Sequence, residues 1–132
     1  MLKAVSRLLV ASVFIYGGID SVRKPDGRAK KVAKFGIPYA REATMANGAA
    51  MAASGVALAL GILPKYASVA LSLLLGPMTL VGHPFWGEED PRARMNEFNH
   101  FLKNVAIFGG LLWFLLENKK DKEEKLTLIE VK

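Results

Sequence analysis

Long apolar runs alternate with short charged stretches along the chain, and the runs have the lengths of membrane-crossing helices. Leu8–Ile19 is apolar, with Lys3 and Arg7 before it and Asp20, Arg23 and Lys24 after it. A helix needs about 20 residues to cross a bilayer, so the first span takes in residues 2–22, with Lys3 and Arg7 snorkelling to one interface. A basic start before a short apolar core also fits a signal peptide. Against that, Gly17-Gly18-Ile19-Asp20-Ser21 makes a poor cleavage site, and three more apolar blocks follow. Residues 47–63 are free of charge and predict a second span; residues 66–86 predict a third, joined to it by a tight Pro64-Lys65 turn. The fourth span covers residues 98–116, with His100 and Lys103 carried in at one end and Trp113 near the other. The expected fold is therefore all-α, an integral membrane four-helix bundle over residues 1–117.

Spacing within the spans adds detail. Gly48, Ala52, Gly55 and Ala59 recur at i, i+4, i+7 and i+11, one stripe along a helix. Small residues let helix backbones approach closely in lipid, where packing replaces the hydrophobic drive, so the second span is expected inside the bundle. Gly76-Pro77 should kink the third span, because proline removes a backbone hydrogen bond and crowds the preceding turn. His83, Pro84, Phe85 and Trp86 close that span with a break and an aromatic belt. The connection over residues 23–46 holds seven Lys/Arg against Asp26 and Glu42, and reads equally as an interfacial helix over Asp26–Gly36 or as a solvated loop. Residues 118–132 are a charged tail, expected to be solvated or frayed. Basic residues do not orient the bundle: eight lie on the side of the N-terminus, Lys65 and the tail, nine on the other.

Composition narrows the chemistry. With 132 residues the chain makes one domain. Its mean hydropathy of +0.23 beside a net charge of +6 reflects segregation into apolar spans and basic connections, which excludes a nucleic-acid-binding face. The absence of cysteine removes disulfides, thiolate metal sites and dithiol redox chemistry. No phosphate loop, nucleophile elbow or HExxH is present, so no catalytic residue and no metal ligand set is assigned. Two histidines on neighbouring spans raise a bis-histidine haem, which would need both imidazoles aimed at one iron; the run Glu88-Glu89-Asp90 reads instead as a solvated loop.

Polar residues at the edges of spans are the remaining candidates. Asn96, Asn99, His100, Lys103 and Asn104 share one broad face of the fourth span, and Lys103 sits about five residues inside its apolar boundary, unless its long stem snorkels. Asp20 meets the same side of the membrane and is expected to pair with Lys103, or with Arg23 or Lys24. With four alternating spans, Asp20, His83, Asn99, His100, Lys103 and Asn104 form a candidate ligand pocket at one interface.

Two stretches carry a family likeness: Arg7-Leu-Leu-Val-Ala-Ser-Val-Phe-Ile-Tyr-Gly-Gly-Ile-Asp20, and Asn99 to Gly110 with its Lys-Asn-x-Ala-x-x-Gly-Gly element from Lys103. Together they resemble the DoxX family of small four-helix bacterial membrane proteins, with a likeness over residues 1–117. The resemblance implies an inner-membrane, multi-pass location and a link to sulfur and thiol-oxidative metabolism. It implies either a membrane anchor or subunit for soluble sulfurtransferase- or superoxide-dismutase-like partners, or a quinone-binding subunit of a thiosulfate:quinone oxidoreductase-like enzyme. A small-molecule or anion transporter is a third expectation, from Gly76-Pro77 and the intramembrane lysine. No cofactor is assigned, a quinone being the one candidate; the bilayer is the first partner, and a homo-oligomer is compatible. Without cysteine, any sulfur or electron transfer falls to a partner or to a bound quinone.

Overall fold

A computed structural model describes the backbone of residues 1–132 and all side chains except those of residues 117–121. Five α-helices follow one another: α1 (Leu2–Arg23), α2 (Asp26–Lys34), α3 (Ala40–Leu60), α4 (Pro64–Gly82) and α5 (Pro91–Glu130), with a 3-10 turn at Phe85–Gly87 before α5. Helices α1, α3, α4 and α5 are each long and apolar enough to cross a membrane. Their side chains agree: Leu9, Tyr16, Leu73, Trp113 and Leu116 stand outward and exposed, as lipid-facing residues do.

Helix α1 packs on α3, α3 on α4 and α4 on α5, while α1 and α5 touch little. The core collects Ala11 and Phe14 from α1, Met51 and Leu58 from α3, Ala67, Leu71 and Leu75 from α4, and Leu111 from α5. The α1–α3 contact is nearly backbone on backbone. A Cβ at Gly18 would fall on the Gly48 carbonyl oxygen and 2.7 Å from the Ala52 amide nitrogen; one at Gly48 would fall 2.6 Å from Ser21 Cβ. Gly55 continues the seam, with Ile15 Cγ1 3.0 Å from where its Cβ would be, and Ala59 packs at the edge of the core. The small-residue stripe of α3 thus lies along α1, where larger side chains would hold the helices apart.

Helix bounds depart from the sequence reading in several places. Helix α3 begins at Ala40, a full two turns before residue 47, because helices run on past the hydrocarbon into the charged interface; there Arg41 Nε reaches Asp26 Oδ1 at 3.2 Å. Helix α5 begins at Pro91, not near residue 98. Asp90 is its N-cap, accepting from the Ala93 amide at 2.8 Å with proline in the first turn. Glu88-Glu89-Asp90 is the loop before the helix, as expected, with its last residue serving as the cap, and Arg94 Nε ties back to the Glu88 carbonyl at 2.8 Å. The charged tail is no separate extension: α5 runs through it to Glu130, and its 40 residues measure about 60 Å, twice a hydrocarbon core of about 30 Å. Glu117 at the end of the expected bundle, and Asn118, Lys119, Lys120 and Asp121 at the start of the expected tail, have side chains outside the described residues. Helix α4 passes through Gly76-Pro77 as one continuous element.

Between α1 and α3 the chain forms a helix over Asp26–Lys34, two residues shorter than the expected 26–36, and α2 covers one end of the bundle. The turn from α3 to α4 lies at the opposite end, with Gly61 left-handed at φ +70° against the Arg7 guanidinium.

Candidate functional site

A cavity of about 400 Å³ opens at the α2 end of the bundle. Its floor and walls come from four helices: Ser21 of α1, Arg28, Lys31 and Val32 of α2, Thr44 and Asn47 of α3, and Met78 and Val81 of α4, with Ile37 and His83 from the connections. The lining is mostly apolar with a few convergent polar groups, and the volume falls in the usual ligand range of roughly 300–1,000 Å³. Two hydroxyls are already committed, Ser21 Oγ to the Gly17 carbonyl at 2.8 Å and Thr44 Oγ1 to the Ala40 carbonyl at 2.7 Å.

The cations of the lining are held in place by acids behind it. Arg28 Nη1 donates to Asp20 Oδ2 at 2.8 Å. Lys31 Nζ donates to Glu97 Oε1 and to the Gly82 carbonyl, both at 2.8 Å, joining α2 to α5 and to the end of α4. The second Glu97 oxygen lies 2.7 Å from His83 Nδ1. A carboxylate only accepts, so the Nδ1 proton faces Glu97 and Nε2 is the acceptor of the neutral ring. Two cations against two carboxylates leave the head of the cavity without net charge while His83 is neutral. Lys31 keeps one of its three ammonium hydrogens, and Arg28 most of its guanidinium donors, for a ligand.

His83 and His100 stack, with ring centroids 5.0 Å apart and an interplanar angle of 13°. Rings meeting face to face do not present two nitrogens to one iron, so this pair is not a haem clamp. Among the described residues, no three His, Asp or Glu side chains group as metal ligands. Phe85 pins the same corner, edge-on to Phe98 at 5.0 Å and to Phe101 at 5.2 Å. The expected aromatic belt is in part a tertiary contact that docks α5.

Of the residues proposed from sequence, His83 lines the cavity; Asp20 and His100 each touch a lining residue, Arg28 and His83. Asn99, Lys103 and Asn104 are not in the lining. The broad polar face of α5 divides into two adjacent stripes. Glu97, His100 and Asn104 turn inward at i, i+3 and i+7, while Asn96, Asn99 and Lys103 are exposed. Among the described residues the ion pair of Asp20 is with Arg28, and Lys24 adds a weaker Coulombic attraction. Sequence reasoning did not single out Glu97, the carboxylate that joins three elements. Its signal is an acid three residues before His100 on the same stripe, one residue outside the apolar run that begins at residue 98.

The family model of DoxX matches residues 2–84 of the chain. The matched stretch holds α1 to α4 and every residue that lines the cavity, and stops before α5 and its Lys103–Gly110 element. No curated protein and no solved structure matches the chain.

Proposed function

The chain belongs to the DoxX family, as a multi-pass membrane protein, and from that premise we propose that it is a subunit of a redox complex in the bacterial inner membrane, holding a quinone in the cavity beneath α2. The observation that carries this reading is the pairing of an apolar cavity with hydrogen-bond donors at a charge-compensated head end. A quinone head is neutral and offers two carbonyl acceptors, which suits the spare donors of Lys31 and Arg28. The quinol form offers hydroxyls, which suit Nε2 of a neutral His83. Val32, Ile37, Met78 and Val81 give the apolar wall that an isoprenoid tail needs. His100 acts through its stack on His83, and Asp20 through Arg28; Asn99, Lys103 and Asn104 lie further off, as polar support along α5. Free anions such as thiosulfate fit this head end less well, since Arg28 and Lys31 are already neutralised, which lowers the transporter reading. Electron transfer to or from the quinone rests with a partner subunit.

Binding of a water-soluble menaquinone analogue to the protein in nanodiscs tests the proposal. Saturable binding is expected, weakened about tenfold by Lys31→Ala, which is worth about 1.4 kcal/mol. Lys103→Ala is expected to change it less than twofold, since Lys103 is not in the lining. Absence of saturable binding would refute the reading.

A second role, the anchor, is favoured by the overshoot of α5. Residues 122–130 continue the helix beyond the apolar span with exposed, mixed charges, a handle suited to a soluble sulfurtransferase- or superoxide-dismutase-like partner. Co-purification from mild detergent, lost on deleting residues 122–132, tests it.

A further inference from the structure

Helix α2 differs from every other wall of the cavity in how it is held. It supplies Gly27, Arg28, Lys31 and Val32 to the lining, yet buries only Ala29. With so little apolar contact, its position depends on three charge contacts, each to a different neighbour. Arg28 reaches Asp20 on α1, Asp26 receives Arg41 of α3, and Lys31 reaches Glu97 and the Gly82 carbonyl. These contacts are unequal in kind. Asp26 and Arg28 both belong to the first turn of α2, so the first two pairs hold its N-terminal end. Only the Lys31 contact crosses the cavity mouth to the α4–α5 corner. All three are partly exposed, with the Lys31 side chain 40% exposed, so water and salt reach them.

The two flanks of α2 differ. Pro25 before it is buried and has a fixed φ, which anchors that end, while residues 35–39 after it are suited to bending, with Gly36 at φ +73° in open space and Tyr39 at φ 51°. Left-handed backbone at both positions ends helical continuity on that side.

We propose that α2 is a charge-latched lid on the cavity, anchored at the buried Pro25, hinged at residues 35–39 and closed by the Lys31 contact to Glu97 and the Gly82 carbonyl. An amphiphile entering from the membrane interface must first release that latch. The proposal rests on the cavity being a ligand site, as argued above, but its test needs no ligand.

The chain has no cysteine, so a single one reports locally. Asn47→Cys places a thiol in the lining, and its reaction with a small water-soluble maleimide, in detergent and in nanodiscs, reads how often the lid opens. Glu97→Gln or Lys31→Met in that background is expected to raise the labelling rate about tenfold. Raising salt from about 0.1 to 1 M should raise it in the same direction without any further substitution. Arg41→Gln, which acts on the anchored end, should change it less than twofold, and Thr127→Cys on the far part of α5 should label fast and be indifferent to all of these. A rate at Asn47→Cys that ignores both Glu97→Gln and salt, whether fast or slow, overturns the lid. If Asn47→Cys does not fold, Thr44→Cys takes its place in the lining. Protection of the thiol by the quinone analogue tests the ligand reading separately: a latch-dependent rate without protection keeps the lid and retires the quinone.

Discussion

One methyl group added at Gly18 and one added at its neighbour Gly17 should have opposite effects on stability. At Gly17 a Cβ would meet nothing within 4 Å, so Gly17→Ala removes a flexible residue from a helix interior at no steric cost and is expected to stabilise by about 0.5–1 kcal/mol. At Gly18 the same methyl would fall on the Gly48 carbonyl oxygen, 2.7 Å from the Ala52 nitrogen and 2.9 Å from the Ala52 Cβ. Ordinary contacts lie at about 3.5–4.0 Å, so α1 and α3 must part by roughly 1 Å. The obstructing atoms are backbone and an alanine Cβ, which have no rotamer to yield. Overpacking of this kind costs about 1–3 kcal/mol. Parting also loosens the seam below, where Gly55 lies against Phe14 and Ile15. Both substitutions gain the same helix propensity, so Gly18→Ala is expected to be less stable than Gly17→Ala by the overpacking cost, about 1–3 kcal/mol. Reversible unfolding by denaturing detergent in mixed micelles, followed by helical circular dichroism, measures the difference. Two variants that unfold within about 0.5 kcal/mol of each other would show that the α1–α3 contact is looser than described.

Gly61→Ala should cost about 1–2 kcal/mol in the same assay: its φ of +70° disfavours a side chain, and the new methyl would press on Arg7 Nη2 at 3.2 Å. Gly61→Asn, which tolerates the left-handed region, should cost less. Lys31→Met and Glu97→Gln, combined in a double-mutant cycle, should show a coupling of about 1 kcal/mol that shrinks as salt rises, since Lys31 is partly exposed. Leu111→Ala should cost at least about 2 kcal/mol, because among the described residues Leu111 is the one fully buried side chain of α5.

The four spans were legible because bilayer thickness sets a minimum apolar length, and four runs in this chain meet it. The stripe from Gly48 to Ala59 was legible because helical spacing puts those residues on one side whatever lies opposite. That its partner is Gly18, with a glycine facing a glycine, was not legible, since Gly17 and Gly18 are equivalent in sequence and only the rotation of α1 separates them. The same limit applied to α5. Asn96, Asn99 and Lys103 stand next to Glu97, His100 and Asn104 on the helical wheel, and about 100° of rotation decides which stripe turns inward.

Taken by itself, the amino-acid sequence determined an all-α chain crossing the membrane four times and free of thiol chemistry. Those properties follow from composition and from periods along one chain. The tertiary structure alone decided that the basic connection folds into a helix over a cavity, that Glu97 is the carboxylate tying Lys31 to His83, and that Asp20 serves Arg28. Each depends on contacts between residues 8 to 66 positions apart, which helical periodicity does not encode and only the packing of one helix against another brings together.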